Sequence, residues 1–427
     1  MRFIGLDVHR DFCEVAISEG GKASSAGRIA TSPGELELFA QSLAGDDRVA
    51  LEATGNALAI ARILAPHVGE VVIANPMQVR AISHAKVKAD RFDARTLAEL
   101  LAAGLLPSVW LGDERTRLLR RLTSRRTQLV RQRSRLKNEV SAVLVRNLKG
   151  KPPFSDLFGK QGRGWLAELE LPADERDTID ACLRQLDFLA GELATLERRI
   201  AEQALDSPEI RRLMTIPGVD VTSAATMQAV IGDIARFPTS RHLVGYVGLD
   251  PSVRQSGASA ARHGHISKRG SAAARHVLVE AAWAAIKTPG PLRAFYERVK
   301  GRRGSQVAIV AVARKLCALC WQLLAKQEDY AFKRSTLVER KLRALELRAG
   351  APRRRGRPTS PASDTRAAHD LELTLARQAE LAYRRLVADR QASARAKTGA
   401  GAASGRASSS QPKRQAARQE TAPPPAL

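Results

Sequence analysis

Residues 3–18 read FIGLDVHRDFCEVAIS. Two apolar runs flank the polar turn HRD, so the stretch predicts one strand turning into a second. Asp7 sits at the end of the first run, preceded by Gly5, a residue suited to close backbone approach. Working outward, RVALEAT (48–54) is another short apolar run that ends on Glu52, and EVVIANP (70–76) supplies a fourth strand candidate. Helical periodicity is predicted over 33–44, 56–66 and 91–104. Strands alternating with helices over residues 1–110 give an α/β class, and Pro107 and Gly112 punctuate its end.

Four carboxylates in this segment invite a chemical reading: Asp7, Glu52, Asp90 and Asp93. The last two lie in KADRFDARTLAELLAAG (88–104), where an i, i+3 pair shares one helix face. Two strand ends and one helix face can bring four acids to a point. Such a cluster repels itself unless cations neutralise it; hard oxygen ligands in that number suit Mg²⁺, and two-metal sites handle phosphodiester chemistry. The segment holds thirteen acids, most of them solvated surface. Asp7 and Glu52 stand apart because each terminates an apolar run.

The chain has 427 residues, enough for two or three domains, with 44% apolar residues to build cores. Its formal net charge is +25 and its isoelectric point near 10.8, which points to nucleic acid as the main partner. Aromatics make up only 4%, so base stacking does not dominate binding. No apolar run of about 18 residues and no signal peptide is visible, giving an expectation of no membrane partner and of a cytosolic location. Cys317 and Cys320 form a CxxC inside the apolar run VAIVAVARKLCALCWQLL; with no second pair or nearby His, they read as core thiols.

Charge is unevenly spread. Net charges are −2 over residues 1–110, +9 over 111–150, −4 over 151–205, +9 over 206–330 and +13 over 331–427. The acid-bearing segment is nearly neutral, so the grip on a polyanion falls to the rest. Residues 113–148 predict one long helix with Leu122, Leu129, Leu136 and Val143 at heptad spacing; the companion positions Leu119, Arg126, Arg133 and Val140 place arginines in the seam. After a Pro/Gly-rich break at 149–164, residues 175–205 repeat the pattern with Ile179, Leu186, Leu193 and Ile200. A coiled coil is predicted, within one chain or between two.

Residues 206–330 read as mainly helical. In RRLMTIPGVDVTSAATMQAVIGDI (211–234) an apolar–Pro–Gly–apolar turn resembles a helix–hairpin–helix, with Gly218 and the next helix N-terminus offering N–H groups to a phosphate. Residues 248–270, GLDPSVRQSGASAARHGHISKRG, concentrate small and basic residues between helices, as a functional loop does. Ser252, Ser256 and Ser259 are candidate nucleophiles. Arg254, Arg262, Lys268 and Arg269 can stabilise charge on a phosphorane. A Ser-Gly in a loop is ordinarily a turn. Beyond 331, APRRRGRPTSPAS reads as a linker, 365–390 as a helix, and the remainder as a basic disordered tail.

Taken in order, GLDVH, LEATG, KADRFDA, IPGV, GLDPSVRQSG and GHISKRG resemble the DEDD transposases of bacterial insertion sequences, the insertion-sequence one-ten family of bridge-RNA-guided recombinases, over about residues 1–330. The resemblance implies an N-terminal RuvC-like domain of the ribonuclease H fold (1–110), a coiled-coil insertion (111–205) and a mainly α-helical transposase domain (206–330). It implies that Asp7, Glu52, Asp90 and Asp93 bind Mg²⁺ and that Ser256 forms a phosphoserine link to DNA. Acids and serine would act on one strand from different protomers of a dimer or tetramer. It further implies double-stranded donor and target DNA and an element-encoded structured RNA as partners. Two departures stand out: Gly257 is followed by Ala258 where the family often has a second glycine, leaving Ser252 as second candidate, and the basic segment 331–427 lies outside the family core. Two other readings compete, a metal-dependent RuvC-like endonuclease using the acids alone and a non-catalytic nucleic-acid-binding protein.

Overall fold

The computed structural model describes residues 1–82, 90–255, 262–353 and 362–406, which fall into two compact units, 1–112 and 113–427. The first is built on a five-stranded mixed sheet. Strands β1 (Phe3–Val8), β2 (Phe12–Glu19) and β3 (Lys22–Ala30) form an antiparallel meander. β4 (Arg48–Glu52) and β5 (Glu70–Ala74) run parallel to β1, giving the order β3-β2-β1-β4-β5. Helices α1 (Pro33–Gln41) and α2 (Ala57–Leu64) cover one face, where Ile4, Leu6 and Val8 pack with Leu36, Ile60 and Leu64. Between β5 and the end of the unit lie α3 (Pro76–Ile82) and α4 (Asp90–Ala102), and α4 covers the other face through Leu97 and Leu101 against Phe3, Ala50 and Ala74.

α4 sits unusually close. A Cβ at Gly5 would lie 2.0 Å from the Ala94 carbonyl oxygen and 2.7 Å from the Ala98 nitrogen, so only glycine lets the helix backbone rest on β1. The start of β1 is fastened by Asp47, which is fully buried. Its carboxylate takes bonds from the Arg2 backbone N–H (3.0 Å), the Arg2 guanidinium and the Ala44 N–H (2.8 Å). Burial alone would raise the Asp47 carboxyl, but these donors outweigh it and hold it at about 2.

β3 has no counterpart among the predicted strands. Its sequence, KASSAGRIA, lacks apolar alternation because it is an edge strand with most of its residues exposed. A register shift at Val15/Ala16 is matched by Gly27 at φ +98°.

In the second unit, α5 (Glu114–Arg146) and α7 (Ala173–Leu205) pack along each other as an antiparallel pair within one chain. Leu129 meets Leu189 and Leu193 near the middle, and Val140 and Val143 join Ile179 and Cys182 at one end. Arg126 bonds Glu197 at 2.7 Å, and Arg146 pairs with Glu175. The break expected at 149–164 is shorter, because α6 (Lys160–Glu168) begins inside it.

Helices α8 (Pro208–Leu213), α9 (Val221–Ile231), α10 (Ser240–Val247), α11 (Ala272–Ala285), α12 (Pro291–Arg303) and α13 (Ser305–Lys326) share one core, interrupted by a hairpin of β6 (Pro251–Arg254) and β7 (Arg262–Ile266). Contrary to the sequence expectation, α13 is long and apolar enough to cross a membrane. Arg314 and Lys315 interrupt its run but are exposed, while Ile309, Val312, Leu316 and Leu323 are buried among neighbouring helices, as in a core helix. Cys317 and Cys320 lie in that core as free thiols, and burial pushes the Cys320 thiol up to about 12.

Two helices follow residue 331, while most of the expected linker and the end of the expected tail (354–361 and 407–427) lie outside the described residues. Helix α14 (Ser335–Arg348) buries Leu345 in the same core and sends Lys341 to the carbonyls of Met214, Ile216 and Val219 at 2.7–2.8 Å. Helix α15 (Ala362–Arg406) is longer than the predicted 365–390 and docks through Glu380. This buried carboxylate takes the Gly290 N–H and the Arg293 Nε, each at 3.0 Å.

Candidate functional site

Two groups of residues carry the expected chemistry, one in each unit. In the first, the register Leu6↔Leu51 brings Asp7, next after Leu6, beside Glu52, next after Leu51, at the ends of two parallel neighbouring strands. Side chains alternate along a strand, so Asp7 shares a face with Gly5, and Glu52 with Ala50. That is the face on which α4 rests. Asp93 immediately precedes Ala94, whose carbonyl lies over Gly5, so the helix carries Asp93 to the same side of the sheet. Asp7 is buried, whereas Glu52 and Asp93 are half-buried. The Asp90 backbone opens α4, but its side chain lies outside the described residues. Among the described residues, no three His, Cys, Asp or Glu form a group that could hold a metal ion.

Two neighbours of Asp7 escaped the sequence reading. His9 Nε2 lies 3.1 Å from Asp7 Oδ2, and the His9 ring rests on Phe12 at 4.8 Å between centroids. The turn that carries it is pinned by His9 N–H to Phe12 O (2.9 Å), and the His9 carbonyl accepts from Asn56 and Thr31. Glu14 stands directly opposite Asp7 on β2 and is buried, with Arg28 Nε donating to Oε2 at 2.7 Å. A hairpin closed at the HRD turn pairs Asp7 with Glu14, so sequence could have found this neighbour. Its burial could not be found that way, because the cover is α4, some eighty residues on.

In the second unit the β6–β7 hairpin carries the cations. Arg254 and Arg262 are exposed and directly opposed across it. Like charges facing each other destabilise a strand pair. The following segment is clamped. Gly248 (φ +77°) and Gly270 (φ +124°) leave no room for a Cβ, which would lie 2.4 Å from Arg269 O and 2.0 Å from Tyr246 O respectively. Ser267 bonds both the carbonyl and the carboxylate of Asp250, at 2.8 and 2.6 Å, and Lys268 N–H reaches Gly248 O at 3.1 Å. Lys268 and Arg269 are exposed on this rigid base, Lys268 in the left-handed region at φ +55°. Ser252 donates to the His265 carbonyl at 3.1 Å, an ordinary strand role. Ser256 and Ser259 lie outside the described residues.

Gly218 needs correction as a phosphate contact. At φ +85° it faces the backbone of α11, where a Cβ would lie 2.3 Å from Ala281 O and 2.6 Å from Ala285 N. The nearby carbonyls are filled by Lys341, and Asp220 caps α9 by accepting from Ser223 N–H at 2.8 Å. The turn is therefore packed by protein groups, and an acid occupies the helix N-terminus that an anion would need.

Comparison with known proteins gives this geometry a context. A DEDD transposase model of the IS110 type matches residues 4–147, spanning the sheet unit and α5. A second model, described as Transposase IS116/IS110/IS902 family, matches residues 210–297, which include the hairpin. A probable family 20 transposase of Pseudomonas aeruginosa is 30% identical over 300 residues, covering 66% of this chain and 85% of its own length. The transposase for insertion sequence element IS1111A of Coxiella burnetii is 27% identical over 348 residues, covering 77% and 91%. The pilin gene-inverting protein of Moraxella lacunata is 25% identical over 277 residues, covering 62% and 75%. With motifs, matched regions and near full-length relatives in agreement, this chain belongs to the IS110 family of DEDD transposases, enzymes of DNA transposition and recombination.

Proposed function

We propose that this transposase cuts and rejoins DNA through a covalent link to Ser256, with Asp7, Glu52, Asp90 and Asp93 as the metal-binding half of the active site. The mixed sheet is read as a RuvC-like domain of the ribonuclease H fold, and the α5–α7 pair as its coiled-coil insertion. The observation that carries the reading is the coincidence of Asp7 and Glu52 at neighbouring strand ends on the face where Gly5 seats α4. An all-oxygen, carboxylate-rich donor set fits a hard divalent cation such as Mg²⁺. When bound, such an ion neutralises phosphate charge and polarises the phosphodiester.

This chain's own residues supply the rest. The Ser256 hydroxyl loses its proton as its oxygen bonds to phosphorus, and the displaced deoxyribose oxygen leaves as a hydroxyl. Reversal by a hydroxyl of the partner strand rejoins the DNA and frees the serine. Arg254, Arg262, Lys268 and Arg269 hold the flanking phosphates, relieving the repulsion between the two opposed arginines. Acids and serine acting together on one strand come from different protomers of a dimer or tetramer. Donor and target DNA are chosen by pairing with an RNA encoded by the element, while the protein reads backbone and shape.

The test is strand cleavage of a duplex bearing the element's end, with the element's noncoding RNA present. Asp7→Ala and Ser256→Ala should each abolish cleavage. Metal-dependent cleavage that survives Ser256→Ala would instead establish the endonuclease reading. Purified protein should prefer the element's RNA to an unrelated RNA of equal length, with steep salt dependence; equal affinity for both counts against guidance.

A further inference from the structure

The sheet register places four charged residues in one row. Reading across β3, β2, β1 and β4, Arg28 opposes Glu14, Glu14 opposes Asp7, and Asp7 stands beside Glu52. Directly paired residues share a face, so all four belong to the side on which α4 rests, spaced by about 5 Å per strand. An unpaired acid beside Asp7 would add to the repulsion there. Glu14 is instead neutralised by Arg28 through Nε at 2.7 Å.

Arg28 is held from two directions. Its Nε is committed to Glu14, and its guanidinium lies over the Phe12 ring at 4.4 Å. The side chain is nevertheless 61% exposed, and among the described residues its two Nη groups have no further partner. A guanidinium oriented by a carboxylate and an aromatic face, with two donors turned to solvent, matches the fork that binds phosphate oxygens. The segment's net charge of −2 means that it has no cationic excess of its own, so a cation held in this row is well placed for the task.

We infer that Arg28 is a DNA phosphate contact of the carboxylate site, held in place by Glu14 and Phe12, which fixes the backbone of the strand entering that site. The inference rests on the carboxylate row being the catalytic site, and the variants separate the two. Arg28→Ala alone leaves Glu14 buried without a partner, so the informative protein is the full chain carrying Glu14→Gln together with Arg28→Ala, which no longer needs neutralising.

If Arg28 grips phosphate, this double variant should melt like wild type. The logarithmic salt slope for binding the element-end duplex should fall by about 0.9. The kcat/KM for cleavage should fall about tenfold to a hundredfold. Should the double variant prove unstable, Arg28→Lys keeps the ion pair but gives up the fork, and should lose activity at unchanged melting temperature. Wild-type binding and cleavage in either variant would mean that Arg28 serves only to neutralise Glu14, overturning the inference. Asp7→Ala is the control: cleavage that survives it removes the carboxylate site itself, whereas an inactive Asp7→Ala beside a fully active double variant removes Arg28 alone.

Discussion

The sheet unit and the β6–β7 hairpin hold the residues of the proposed site by opposite means. In the sheet, Asp7 and Glu14 are buried, fixed by strand register and covered by a helix seated on Gly5. On the hairpin, Arg254, Arg262, Lys268 and Arg269 are exposed, and what is fixed is the backbone beneath them. Acids that share an ion need fixed positions, and strand register with a closely seated helix supplies them. Cations that meet a long polyanion need reach more than position, so a rigid base with solvated side chains suffices. Residues of the proposed carboxylate site should therefore be costly to disturb in folding terms, and those proposed to grip DNA should not.

Gly5→Ala should break the comparison most severely. The added methyl meets helix backbone that cannot rotate away, so the sheet unit should lose about 3 kcal/mol or more in urea unfolding, and cleavage should disappear with it. A variant of wild-type stability would mean that α4 does not rest on β1. Gly270→Ala is the counterpart in the hairpin base: a clash with Tyr246 O plus a backbone strained at φ +124° should cost about 2 kcal/mol. It should weaken DNA binding while leaving the melting of the sheet unit unchanged.

Asp47→Asn sharpens the contrast by pH. The folded carboxyl is held at about 2, below its ordinary value, so the stability it supplies is complete above the unfolded value near 3.8 and is lost as pH falls through about 2. Wild type should exceed the variant by about 2 kcal/mol at pH 7, and the two denaturation curves should converge below pH 2. Arg254→Ala and Arg262→Ala should have the smallest effect on folding, under about 0.5 kcal/mol, because both residues are exposed. Each should lower the logarithmic salt slope of DNA binding by about 0.9. A large fall in melting temperature would contradict the division of labour.

Legibility in the sequence follows the same divide. Asp7 and Glu52 could be read because each ends a short apolar run, and runs of that kind make strands. Their joint face followed from Gly5 and the strand register. The role of Glu14 stayed hidden because CEVAIS looks like an ordinary half-exposed strand until α4 covers it. β3 was missed for want of alternation. Gly218 was misread for a related reason: IPGV announces a turn, but not that α11 backbone and Lys341, more than a hundred residues on, fill it. Local pattern reveals elements and strand ends; what distant segments cover or cap is set by packing that no short window contains.

The covalent step is what most directly separates a serine transposase from a metal-only nuclease. Wild-type protein should be trapped on a nicked element-end duplex in the presence of Mg²⁺ and the element's RNA, digested, and its DNA-linked peptide sequenced by mass spectrometry. The expected product is a phosphodiester-linked peptide with the attachment at Ser256, absent from Ser256→Ala and from Asp7→Ala. Attachment at Ser252, or cleaved DNA with no linked peptide, would contradict the proposed link to Ser256.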